Sequence, residues 1–297
     1  MLAAAEELGY LPDVTARGFR QGRGTSIGLL VSDLRSPLQA EIAAGVGERL
    51  DPEAFTLMVA HTTNDPDRQL EAARAFAARR VEGMVLTPLG DATSDCLQEL
   101  GIPVVEVDGL PSGVATDRVL PDAEEAGRRL MRHLQDLGHR RITLVLDDSP
   151  TTSQREFASG CGIPDAGTAR SGVAEGDRPV VVRTSEIGSR TQQAVPLAEA
   201  TAVLAASPAI AERLWTDTLD SSQGRLRRSL AVLGDAPWMP LVSPAVTVAR
   251  VDAVRLGMRA AERLMTRLRH PEADPVVERL PAEILVRDST RPPRDTF

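Results

Sequence analysis

The stretch Leu11-Pro-Asp-Val-Thr-Ala-Arg-Gly-Phe-Arg-Gln-Gly-Arg-Gly-Thr-Ser-Ile-Gly-Leu-Leu-Val31 joins a short, arginine-bearing run to the first strongly apolar segment of the chain. Pro12 fixes φ, and Asp13 can accept a hydrogen bond from a free amide, so the two open a helix. Thr15, Ala16 and Phe19 then share one face at i, i+1 and i+4. Arg17, Arg20 and Arg23 make the run locally basic in a chain of formal net charge −8. The helix is expected to be weak alone, because it is short and Gly18 costs roughly 1 kcal/mol relative to alanine. A weak helix with one large apolar residue and flanking arginines suits a segment that orders against a partner. Ile27–Val31, by contrast, reads as a buried strand.

Working outward, 297 residues are long for one domain and natural for two lobes. Hydrophobic content is 42% and mean hydropathy −0.14, as in a water-soluble protein. No apolar run approaches the ~20 residues of a membrane span, and no secretory leader opens the chain. Cys96 and Cys161 are its only cysteines, without metal-ligand spacing, which points to a reducing cytoplasm. All 34 basic residues are arginine and aromatics make up 3%, read here as codon bias. The acidic body argues against a broad nucleic-acid surface, so phosphate contacts should come from the N-terminal arm.

From Ile27 onward short apolar runs alternate with helical ones. Strands are expected at Ile27–Val31, Phe55–Ala60, Val81–Leu86 and Pro103–Val107, with helices at Leu38–Leu50, Pro66–Arg79 and Ser94–Leu100. The helix Ala123–Leu137, stopped by Gly138, leads into a second series. That series has strands at Arg141–Leu146, Pro179–Val182, Ala200–Ala205 and Ser229–Leu233, and a helix at Ile210–Leu219. A last long helix, Val254–Leu268, precedes a strand near Ala282–Val286. Helices joining continuously apolar strands indicate parallel sheets covered on both faces.

Several motifs carry a resemblance. Ala3-Ala-Ala-Glu-Glu-Leu-Gly-Tyr-Leu-Pro-Asp13 with Ala16-Arg-Gly-Phe19, and Asp33-Leu-Arg-Ser-Pro-Leu-Gln-Ala-Glu-Ile42, are the first two. Arg80-Val-Glu-Gly-Met-Val-Leu86, Gly101-Ile-Pro-Val-Val105 and Leu137-Gly-His-Arg-Arg-Ile142 follow. Pro237-Trp238, Pro244 and Arg279-Leu-Pro-Ala-Glu-Ile-Leu-Val-Arg-Asp-Ser-Thr290 complete the order. Together they resemble the lac repressor/gal repressor family of transcriptional regulators across most of the chain.

The resemblance implies an α/β fold of the two-lobed periplasmic-binding-protein type (type I), each lobe a parallel sheet flanked by helices. It implies residues 1–25 as the remnant of a DNA-binding headpiece and a hinge helix. The first lobe would be 26–122 plus 249–270, and the second 123–248 plus 271–297, with the chain crossing three times. Paired hinge helices of a homodimer would enter the minor groove, with Thr15, Ala16, Arg17, Phe19, Arg20 and Arg23 at the DNA and Phe19 as an apolar wedge. The alternative for Phe19 is packing on the core. Most of the helix-turn-helix headpiece would lie upstream of Met1, either through a misplaced start or a truncation.

For the cleft between lobes, the resemblance implies a small-molecule effector, a sugar in much of the family. Arg155 would grip it with its fork of donors; Leu38, Gln39, Asp108, Ser207, Asp235 and Trp238 would surround it. The chain departs from the family here. Leu38 and Gln39 replace two aromatics, Ser207-Pro208 replaces an Asn-Asp pair, and Val232-Leu-Gly-Asp235 keeps only one of two acids. Cys161–Arg190 resembles the family poorly, and Gly160, Gly162 and Pro164 should break the helix after Arg155. An ordinary monosaccharide is therefore disfavoured, leaving a different ligand or none. The function expected is a transcriptional regulator, with a solute-binding protein or a regulator that has lost effector binding as alternatives.

No catalytic pattern competes. Gly24-Thr-Ser-Ile-Gly28 fits G-x-S-x-G by letter but precedes a strand, whereas a nucleophile elbow follows one. His61, His133, His139 and His270 lack metal spacing, and no Walker loop is present, so neither cofactor nor metal is expected. His139 reads as a local cap, and Asp147-Asp148, at a strand end, as a solvated cleft edge.

Overall fold

The computed structural model describes residues 26–166, 179–187, 197, 199–220 and 225–293. The N-terminal run expected to form a hinge helix, including Thr15, Ala16, Arg17, Phe19, Arg20 and Arg23, lies outside the described residues.

The apolar segment that opened the reading is β1 (Ser26–Val31), five of its six residues buried. Ser26 starts this strand. β1 sits inside a six-stranded sheet with β2 (Thr56–His61), β3 (Gly83–Leu86), β4 (Val104–Val107), β5 (Asp117–Pro121) and β13 (Val277–Leu280). The order is β13-β5-β4-β3-β1-β2, and every pairing is parallel. Alternate residues serve opposite faces. Ile27, Leu29 and Val31 pack with Ile42 and Val46 of α1 (Pro37–Leu50) and Leu256 and Leu264 of α7 (Ala253–Arg269). Leu30, Met84 and Leu86 pack with Ala73 and Phe76 of α2 (Pro66–Ala78) and Leu97 of α3 (Asp91–Glu99). Both faces are covered, which is why the strands read as unbroken apolar runs.

The second sheet repeats this plan with β6 (Ile142–Leu146), β7 (Val180–Arg183), β8 (Ala202–Ala205), β11 (Ser229–Leu233), β12 (Thr247–Arg250) and β14 (Glu283–Leu285). Its order is β14-β12-β11-β8-β6-β7, parallel except for β14 at the edge. The helices α4 (Ala123–Asp136), α5 (Thr152–Gly160) and α6 (Pro208–Thr218) belong to this lobe. Two-residue strands β9 (Leu219–Asp220) and β10 (Arg225–Leu226) pair antiparallel after α6.

Helices cross closely in both lobes because glycines meet backbone. A Cβ on Gly45 of α1 would stand 2.0 Å from the Val254 carbonyl oxygen of α7, and one on Gly257 would stand 2.1 Å from that of Ile42. In the second lobe, Gly127 of α4 and Gly160 of α5 stand in the same relation to the Phe157 and Glu124 carbonyls, at 2.2 and 1.9 Å. The glycine expected to break α5 is its last residue and the one that lets it lie on α4.

The chain passes between lobes three times, after Pro121, after Arg250 and after Leu280. Two expected boundaries differ, and 249–250, placed with the first lobe, belong to β12 of the second sheet. All of 271–297 was assigned to the second lobe, but Val277–Leu280 pairs with β5 in the first. The strand is not an apolar run, because the adjacent Glu278 and Arg279 occupy its centre on the edge of the sheet.

Candidate functional site

A cavity of about 660 Å³ lies between the lobes, at the carboxyl ends of strands from both sheets. From the first lobe come Ser32 after β1, Thr87 after β3 and Asp108 after β4, with Leu38, Gln39 and Glu41 of α1. From the second come Asp147 and Asp148 after β6, Thr184 after β7, Ser207 after β8 and Asp235 after β11. Ser153 and Gln154 at the start of α5 close one side. Leu89, Leu110, Leu233 and Val251 supply aliphatic wall. No arginine, histidine or aromatic side chain lines the cavity among the described residues.

The polar groups are held in defined ways. Gln39 is buried, its amide oxygen accepting from Thr87 Oγ1 at 3.0 Å. Gln69 donates to the Thr87 carbonyl at 2.8 Å, so this wall is hydrogen-bonded through to α2. Asp108 has φ 47° and is followed by Gly109 at φ 85°, a left-handed pair that turns the loop towards α5. There it accepts from the Ser153 amide at 3.0 Å, while the Thr152 amide donates to the Gly109 carbonyl at 2.7 Å. A first-lobe carboxyl thus helps cap a second-lobe helix. Burial pushes the Asp108 carboxyl above the usual range and the Glu156 charge adds to this, against the pull of the Ser153 and Gly109 hydrogen bonds.

Asp147 accepts from Gln154 Nε2 at 2.6 Å and returns its own amide to Gln154 Oε1 at 3.3 Å. Asp148 is held below the usual carboxylate range by hydrogen bonds from Ser185, with Thr184 assisting. Asp235 is gripped by both Arg287 nitrogens, at 2.6 and 3.2 Å, leaving its charge neutralised. Ser207 caps α6, accepting from the Ile210 amide at 3.3 Å. Among the described residues no cluster of His, Cys, Asp and Glu could hold a metal ion.

Family models match on both halves. Residues 24–168 match the periplasmic binding proteins and sugar binding domain of the LacI family, and residues 131–290 match the periplasmic binding protein-like domain. The chain belongs to the LacI family of transcriptional regulators. Among its relatives is the HTH-type transcriptional regulator PtxS of Pseudomonas putida, 28% identical, covering 97% of this chain and 85% of that one. The HTH-type transcriptional repressor PurR of Photobacterium profundum is 26% identical, covering 98% and 89%. Solved structures share the fold. A lac repressor dimer bound to operator and the anti-inducer ONPF has a TM-score of 0.78 at 20% identity, over 97% of this chain and 88% of that one. A LacI family regulator from Enterococcus faecium with bound ribose has a TM-score of 0.71 at 22%, over 91% and 100%.

Within this LacI-type core, Leu38, Gln39, Asp108, Ser207 and Asp235 are brought together at the cavity. Arg155 is not. It is exposed on α5 and its Nε donates to the Pro150 carbonyl at 3.3 Å. The first turn presents Ser153 and Gln154 inward, and the next position, about 100° round the helix, points away. Trp238 also stands outside the lining, packed edge-to-face on Trp215 with ring centroids 5.6 Å apart. Ser153 and Gln154 escaped the sequence reading. Thr151-Thr-Ser-Gln154 fits the helix-start pattern S/T-x-x-E/Q and could have placed them in a first turn; the Gln154 amide does donate to Thr151 Oγ1, at 3.3 Å.

Proposed function

We propose that this LacI-family core binds a small-molecule effector between its lobes and passes the occupancy of the cleft to DNA through the segment Thr15–Arg23. The observation that carries this is the cavity itself, walled by both lobes and joined across by Asp108 and α5. A ligand touching both walls favours one inter-lobe arrangement over another by its difference in affinity for the two. Leu38, Gln39, Asp108, Asp147, Ser153, Ser207 and Asp235 are the residues assigned to it. The chain works as a homodimer in the cytoplasm, since two hinge segments are needed to pair on one duplex, and its role is regulation rather than catalysis.

The test is thermal unfolding against a panel of neutral sugars, nucleobases, organic acids and amines. A cleft ligand at a hundredfold excess over Kd should add about 2.7 kcal/mol of stability. Arg155→Ala should keep that shift, whereas Asp108→Asn should reduce it. Sedimentation of the same samples should show a dimer, and fluorescence anisotropy with upstream DNA should change on adding the active compound. A panel in which nothing shifts the transition would overturn the effector reading.

A further inference from the structure

The charges of the cleft do not balance. Of its carboxylates, Asp235 is committed to Arg287, Asp148 is exposed and held by Ser185 and Thr184 with Arg183 nearby, and Glu41 is exposed to water on α1. Asp108 and Asp147 receive hydrogen bonds from neutral donors, the Ser153 and Gly109 amides for Asp108 and the Gln154 side chain for Asp147. Neither has an ion-pair partner among the described residues. Two uncompensated carboxylates in a partly water-excluded cavity leave a strong attraction for a positive charge.

A second observation points to a ligand group at the same place. Ser153 is 4% exposed and lines the cavity, and its hydroxyl, which lies near the Asp108 carboxyl, makes no well-formed hydrogen bond. Buried hydroxyls are ordinarily satisfied, and an orphan beside two acids fits a donor brought by a guest. The same turn excludes an anion. The Ser153 and Gln154 amides, which an unoccupied helix start would offer to an anion, are already taken by Asp108 and Thr151. The walls are aliphatic, without an aromatic face for a sugar ring or a flat base to stack on among the described residues.

We infer that the cleft takes a cationic ligand, an ammonium or guanidinium group on a short aliphatic body, with the cation between Asp108, Asp147 and Ser153 Oγ. This rests on the effector reading and narrows it to a ligand class. The ligand's N–H groups donate to both carboxylates and to the serine oxygen, and its carbon chain lies against Leu38, Leu89 and Leu233. Binding neutralises Asp108, which joins the lobes, so the ligand's charge acts at the contact between them.

The experiment is calorimetric titration of the full chain at about 0.15 M salt, where loose surface charge is screened. The probes are 1,4-diaminobutane and agmatine as cations, 1,4-butanediol as the neutral isostere of the diamine, and ribose. At least one cation should bind saturably at one site per subunit and raise the melting temperature, with butanediol and ribose inert. Asp147→Asn and Asp108→Asn should each weaken that cation by about tenfold or more, the loss expected for a hydrogen bond to a charged group. Glu71→Gln, on the exposed face of α2, should leave it unchanged and report adventitious binding to an acidic protein. The Asp147→Asn protein, whose hydrogen bond to Gln154 an amide can replace, separates lost affinity from lost folding by its unliganded melting temperature. Equal binding of butanediol, binding insensitive to both Asp→Asn changes, or binding of ribose in place of the cations overturns the cation assignment while the effector reading stands. If no probe and no compound of the wider panel binds, both fall together.

Discussion

The two lobes solve one packing problem identically and one tethering problem differently. In each, a pair of helices lies backbone to backbone across reciprocal glycines, Gly45 with Gly257 in the first and Gly127 with Gly160 in the second. Each lobe must also fasten a returning segment to its sheet. The first uses charge. Asp117 accepts from Arg267 Nε at 2.8 Å and from the Val276 amide at 2.9 Å, while Arg267 reaches the Pro271 and Asp274 carbonyls. The second adds neutral groups to its Arg287–Asp235 ion pair. Ser289 links the Thr247 amide at 2.7 Å to the Leu230 carbonyl at 2.6 Å. His139 Nε2 meets the Arg291 carbonyl at 2.7 Å, and its Nδ1 lies 2.9 Å from Thr201 Oγ1. Helix contact distance thus dictates residue type, whereas tethering needs only a satisfied donor and acceptor.

The largest effect should come from the shared device. Gly45→Val places a branched side chain where even a Cβ meets backbone at 2.0 Å. No rotamer relieves this, so α1 and α7 must separate, at a cost of more than ~4 kcal/mol. Gly127→Val should cost as much in the second lobe, at 2.2 Å. Urea denaturation or loss of soluble protein reports both, and a mild effect in one lobe only would break the equivalence.

Next, the tethers should separate the lobes. Asp117→Ala leaves Arg267, 14% exposed, as an unpaired charge, at about 3–5 kcal/mol. Ser289→Ala strands one amide and one carbonyl, at about 1–3 kcal/mol. Equal losses in paired urea titrations would mean that the ionic and neutral fastenings are equivalent.

The smallest expected effect is a pH dependence confined to the neutral tether. Burial holds His139 below its ordinary 6.5. The folded state therefore binds fewer protons than the unfolded one as pH falls below about 6.5. The stability that His139 contributes is present above 6.5 and declines from there down through its lowered folded value. His133 shifts the same way, also by burial. Urea midpoints between pH 7.5 and 5.5 should fall, and His139→Gln should flatten the slope; a slope unchanged by that substitution would remove His139 from the effect.

The same contrast explains what the sequence could show. Strands such as β1 and β6 were legible because both of their faces are apolar. β5 and β13 were not, since Asp117, Arg118, Glu278 and Arg279 read as loop until their partners are known. Those partners are Arg267, Glu106, Arg259 and Glu156. Two of the four pair more than a hundred residues away, and Glu278 pairs with a residue of α7 nineteen positions back, beyond any local pattern. At the cleft, Leu38, Gln39, Asp108, Ser207 and Asp235 were legible through family motifs. Arg155 misled because α5 begins at Thr152, three residues earlier, which turns the arginine outward. That Asp235 is already paired depends on Arg287, fifty-two positions on.

The three passages between the lobes carry a mechanical consequence. They run edge to edge: Pro121 pairs with Leu280 at the end of the first sheet, the Asp122 amide donates to the Leu280 carbonyl at 2.6 Å, and Arg250 pairs with Glu283 at the start of the second. Three cords laced into a band behave as a strap, which folds easily across its width and resists torsion. Motion between the lobes is thereby reduced to a single angle, and that angle is the gape of the cavity lined by Asp108 and Asp147.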